Sequence, residues 1–149
     1  MTETNDPEYE LVLVDSTDPR FPDVMDIRHR VFVEEQRVDP VEEWDEWDAL
    51  ATHILLLKNG QAVGTLRFFD DDGWLHVGRF AIVSDQRGSG LGRVLLHRCL
   101  EEGKNLGLAR SFLNAQSDKV GFYGKFGYTA VGDEFMEAGI PHRRMELAP

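Results

Sequence analysis

From Val83 to Arg93 the chain reads Val-Ser-Asp-Gln-Arg-Gly-Ser-Gly-Leu-Gly-Arg, with glycines at 88, 90 and 92 and arginines at 87 and 93. Glycine lets the backbone turn its N–H groups inward, and a helix that follows adds unpartnered first-turn donors and the positive end of its dipole. Such a segment suits a phosphate or pyrophosphate. Two phosphate loops are excluded by spacing. A Walker loop closes on Gly-Lys-Ser/Thr, whereas Gly92 is followed by Arg93 and Val94. A dinucleotide fingerprint needs a glycine where Arg93 stands and an acid about 20 residues further on, and Glu101 and Glu102 come too early. What remains is Arg-x-x-Gly-x-Gly on Arg87, Gly90 and Gly92. The expected anion contacts are the backbone N–H groups of Gly88, Ser89, Gly90, Leu91, Gly92 and Arg93, with charge from Arg87 and Arg93. The competing reading is a plain strand-to-helix connection.

The elements around this loop follow from periodicity. Tyr9–Val14, Thr52–Leu57, Ala62–Phe69 and Trp74–Val83 read as strands, with turns at Asn59-Gly60 and Asp70–Gly73. Helices are expected at Asp23–Gln36, Leu91–Asn105 (closed by Gly107) and Asp118–Phe126. Ser111–Ala115, Tyr128–Val131 and Arg144–Leu147 complete the strands. Arg37–Ala51, with Asp39, Pro40, Glu42, Glu43, Asp45, Glu46 and Asp48, reads as loop or irregular helix. No repeat or linker divides the 149 residues, so one α+β domain over 1–149 is expected, with the meander, helix crossover and further strands in three layers.

Composition narrows the function classes. Sixteen basic residues stand against 27 acidic ones, for a net charge of −11, and the longest basic cluster is Arg143-Arg144, so nucleic acid is not an expected partner. No apolar run approaches a membrane span, and Met1–Glu10 lacks the basic and apolar regions of a secretory signal. The single cysteine, Cys99, excludes an intrachain disulfide framework and a multi-cysteine zinc site, and no metal is expected. A cytoplasmic protein is the expectation. Twelve arginines against four lysines on an acidic chain suit either a high-salt cytoplasm or a merely acidic mesophilic protein.

Six ordered blocks then carry a resemblance: Arg30–Gln36, Gly78–Val83, the Arg87 loop, Leu113-Asn114-Ala115-Gln116, Phe122–Tyr128 and Gly139-Ile140-Pro141-His142. They resemble the GNAT (Gcn5-related) N-acetyltransferase superfamily over nearly the whole chain, and its ElaA/YjcF-like branch in particular. The resemblance implies a three-layer α/β/α domain with a mostly antiparallel sheet, acetyl-CoA as cosubstrate, and acetyl transfer to an amine by direct attack in a ternary complex. It also implies backbone contacts to the pantetheine arm from Phe80, Ala81 and Ile82, pyrophosphate on Gly88–Arg93, and an amide contact from Asn114. Tyr123 matches the family's general acid, and a phenol near pKa 10 can protonate a leaving thiolate near 8.5. The place of the general base falls on His76, where histone-type members carry glutamate; a neutral imidazole can serve. Glu34, Glu35, His142 or a water relay are alternatives.

Cys99 is expected as core, Arg143 and Arg144 as solvated, and Trp44 and Trp47 as acceptor lining or sheet cover. In the superfamily the segment after the first helix covers the acceptor side, so the acids of the 39–48 segment, with Glu34 and Glu35, read either as a pull on a positively charged amine acceptor or as plain surface solvation on a chain of net charge −11. Dimers are frequent in the superfamily, so a homodimer is one expected state. The rival class is an acyl-CoA-binding regulatory module without catalysis.

Overall fold

The computed structural model describes residues 8–149. Most of the Met1–Glu10 stretch that argues against a leader lies outside them. Seven strands form one open sheet: β1 (Tyr9–Val14), β2 (Thr52–Lys58), β3 (Gln61–Asp71), β4 (Trp74–Ile82), β5 (Ser111–Gln116), β6 (Thr129–Glu137) and β7 (Ile140–Leu147), in the order β1-β2-β3-β4-β5-β7-β6. All neighbours are antiparallel except β4 and β5, which the long helix α3 (Leu91–Asn105) connects as a parallel pair. The Asn59-Gly60 and Asp72-Gly73 pairs both have positive φ at their two residues, the geometry of a two-residue hairpin.

Why the sheet is covered on both faces is visible in β2, whose Ile54, Leu55 and Leu56 are all fully buried. Alternation sends consecutive side chains to opposite faces, so a continuous apolar run needs a layer on each. On one face lies α3, whose Leu91, Leu95, Leu96 and Cys99 are buried. At Gly103 a Cβ would stand 2.6 Å from Leu75 Cδ2, so glycine is what lets this helix approach β4. On the other face lies α1 (Phe21–Arg28), which continues as a π-helical stretch over His29–Glu35. The helix expected over Asp23–Gln36 is therefore present, with a wider second half. Two short helices complete the set: α2 (Pro40–Glu43), N-capped by Asp39, and α4 (Val120–Gly124).

Two features of β4 position the site. Arg79 sits in a bulge with φ +48°, and the register against β3 shifts there. The extra residue reverses the alternation, so that Leu75 before the bulge and Phe80 and Ile82 after it all meet α3 or its neighbours. Second, the β4–β5 ladder stops at Val77 and Leu113. Beyond that point Gly78–Ile82 and Asn114–Gln116 are not bonded to each other, and a gap opens between the strands. The last hairpin is longer than the sequence suggests: β6 and β7 turn through Ala138-Gly139 (φ +52° and +76°), and β7 inserts between β5 and β6.

Candidate active site

On the α3 face the glycine loop has the geometry of an anion cradle. Gly88 and Gly90 have φ of +84° and +85°, and nothing lies within 4 Å of a Cβ at either. Gly90 is the N-cap of α3 and accepts from Val94 N–H. The backbone N–H groups from Gly88 through Arg93 find no acceptor among the described residues. Gly92 has another reason to be glycine, since a Cβ there would stand 3.2 Å from Phe122 and 3.6 Å from Phe80. Those two rings lead to Tyr123 on α4, which makes edge contacts with Phe80, Phe122 and Tyr128 at 5.2–6.2 Å between centroids. Burial, with Tyr128 adding to it, pushes the Tyr123 hydroxyl well above the ordinary phenol value, so it keeps its proton. Tyr128 is anchored separately by a 2.8 Å bond with Ser111 Oγ.

The opposite face is charged and aromatic. His76 stands one residue before the end of the β4–β5 ladder, its ring between Phe69 and Phe112 at 4.7 and 4.2 Å. Burial holds its pKa below the ordinary histidine value against the opposing pull of Asp71. Phe112 faces this side, so alternation along β5 puts Asn114 on it too, at the start of the gap. Next to these lies a buried network. Arg28, fully buried, bonds Glu43 and Asp48; Arg67 bonds Asp45 and Asp48; Arg79 at the bulge donates to Glu43 O, Glu42 O and Asp45. Burial alone would raise Asp48, but Arg28 and Arg67 hold its carboxyl at about 2.

Several expectations change here. Arg87 does not lean into the cradle: both terminal nitrogens bond the Glu35 carboxylate (2.5 and 2.7 Å), and Nε donates to Ile82 O. Arg87 is thus a bracket from the loop to the π-helical stretch, while Arg93 is exposed. The same pair holds the Glu35 carboxyl low, which makes it a poor base. His142, buried at the β6–β7 hairpin, bonds Ile140 O and stacks on Phe135. Glu43, Asp45 and Asp48 serve internal arginines, so the acidic segment presents less free charge than its composition implies. Trp47 stacks on Phe69 at 4.6 Å and covers the sheet, and Trp44 meets Phe21. Arg144, expected as solvated, lies 3.9 Å over the Phe112 ring. Asp71 was not singled out by the sequence; nothing local marks it apart from its turn neighbours.

A strand-loop-helix cradle beside two strands whose ladder stops early is the architecture of an acyltransferase, and residues 22–149 match the acetyltransferase (GNAT) domain family. The chain belongs to that family, whose members use acyl-CoA. Within it, the chain falls in the ElaA/YjcF-like branch. It is 37% identical over 125 residues to an uncharacterized N-acetyltransferase, YjcF, of Bacillus subtilis, covering 83% of this chain and 89% of that one. An acyl-CoA N-acyltransferase structure from Pseudomonas aeruginosa superposes with a TM-score of 0.85 at 30% identity, over 95% of this chain and 100% of that one. Escherichia coli ElaA gives 0.82 at 26% identity, over 95% and 99%. Among the described residues no three metal-binding side chains cluster, and no helix is long and apolar enough to cross a membrane.

Proposed function

We propose that this protein transfers an acetyl group from acetyl-CoA to an amine by direct attack in a ternary complex. The observation that carries the reading is the row of unpartnered N–H groups from Gly88 to Arg93, which follows the stretch of β4 (Gly78–Ile82) that has parted from β5. There the backbone of Gly88–Arg93 holds the pyrophosphate, and the parted strand at Phe80, Ala81 and Ile82 offers backbone to the pantetheine arm. Asn114 bonds near the thioester from the other face. His76, neutral at pH 7, takes a proton from the acceptor ammonium, and the freed nitrogen forms the C–N bond. As the C–S bond breaks, its electron pair leaves on sulfur and Tyr123 supplies the proton. The second proton from the new amide nitrogen returns to the Tyr123 oxygen through solvent, and His76 releases its own, so one proton leaves per turnover.

The acceptor enters on the α1 face, where Asp39, Glu34, Glu42 and Glu46 remain exposed. These support a cationic amine, on fewer acids than the sequence count suggests. The test is release of free thiol from acetyl-CoA across an amine library, with mass spectrometry of the product. Tyr123→Phe should keep acetyl-CoA affinity and lower kcat by about 10²–10⁴-fold. Wild-type turnover in that variant would remove Tyr123 from the chemistry. Acetyl-CoA binding without transfer to any amine would favour a regulatory binding module.

A further inference from the structure

We infer that Asp71 is the positioning residue of the acceptor-side base, holding the His76 imidazole as the Nδ1–H tautomer so that Nε2 carries the lone pair offered to the amine. The inference rests on the reading of His76 as that base.

The run Asp70-Asp71-Asp72-Gly73 has the composition of a turn, and the turn accounts for only part of it. Asp70 accepts from Gly73 N–H at 2.9 Å, and Asp72 takes one of the positive-φ places. Asp71 is used by neither. It ends β3 opposite Trp74, and its Oδ2 lies 3.1 Å from His76 Nδ1. A carboxylate only accepts, so the proton of the neutral ring must be on Nδ1. Nε2 is then the unprotonated nitrogen. It has no hydrogen-bond partner among the described residues and is not a fully buried orphan, so it is open to an incoming group.

The ring cannot readily turn away. Phe69 and Phe112 clamp it, Trp47 backs Phe69, and the Arg144 guanidinium backs Phe112. The charged groups that face it are Asp71 and Arg67 from β3 and Arg144 from β7. Burial and the two arginines favour the neutral ring, and Asp71 opposes them while fixing the tautomer. A base needs both properties: neutral at working pH, and with its lone pair on the nitrogen that meets the substrate.

The test joins two readouts on the whole 149-residue chain and its isosteric variant Asp71→Asn. In ¹⁵N-edited NMR, wild-type His76 should show the Nδ1–H tautomer and titrate below the ordinary histidine value. In Asp71→Asn the tautomer preference should be lost and the titration should move to still lower pH, because the carboxylate that favoured protonation is gone. With the best amine from the library, the acidic limb of kcat/KM should move down with it, and kcat should fall by about tenfold or more, short of the 10²–10⁴-fold of a complete base. An Nε2–H tautomer in the wild type, or a tautomer and pH profile unmoved by Asp71→Asn, overturns the assignment of Asp71. Wild-type kcat/KM in His76→Gln overturns the base itself, a failure that the NMR arm separates from a wrong tautomer.

Discussion

The two faces of the sheet beside the β4–β5 gap are built from opposite materials. The α3 face is apolar, with Phe80, Phe122, Tyr123 and glycines that leave backbone donors uncovered. The α1 face is made of ion pairs and stacked rings, with three arginines and three acids locked between α1, α2, β3 and the β4 bulge. The first face offers uncovered backbone N–H groups, and its rigidity comes from a helix end. On the second, rigidity comes from side chains that neutralise one another, so the charges of the wall are spent inside it, and Glu34, Asp39, Glu42 and Glu46 stay exposed around it. The lesson is that a cluster of acids in sequence is not an electrostatic surface until its partners are known.

Breaking the charged face should have the largest effect. Arg28→Met leaves Glu43 and Asp48 buried without their shared partner, and losing one side of a buried pair costs about 3–5 kcal/mol. Thermal unfolding should show Tm falling by roughly 10 °C. An unchanged Tm would mean that Arg67 and Arg79 alone satisfy those acids. The faces meet at the bracket between Arg87 of the loop and Glu35 of the π-helical stretch, and loosening it should do least. Both partners are about two-fifths exposed (39% and 41%), and exposed pairs contribute up to about 1 kcal/mol. Glu35→Gln should shift Tm by no more than about 4 °C in a scanning calorimeter. A loss as large as that of Arg28→Met would make the bracket a structural keystone.

What could be read from the sequence divides along the same line. The glycine loop, the two tight hairpins and α3 are encoded by neighbours a few residues apart, so pattern alone finds them. The pairings on the α1 face are not local. Arg28 meets acids 15 and 20 residues away, and Arg87 meets one 52 residues away, so Glu35 reads as a free base and Arg87 as a free phosphate ligand until the chain is folded. The β6–β7 hairpin is longer than its sequence pattern predicts because Ala138-Gly139 is a weaker turn signal than Asn59-Gly60. Asp71 was hidden because a run of aspartates before glycine is already explained as a turn.

On the function proposed here, the loop at the start of α3 holds the cosubstrate while the rest of the site does the chemistry. Isothermal titration calorimetry with acetyl-CoA tests it directly on the wild type, Gly90→Asn and Gly90→Glu. Asparagine tolerates the left-handed φ that Gly90 adopts and separates backbone strain from charge. One-to-one binding by the wild type, retained in large part by Gly90→Asn and abolished by Gly90→Glu with its fold intact, is the predicted result. No binding by the wild type, or equal affinity in Gly90→Glu, would mean that the loop does not hold acetyl-CoA.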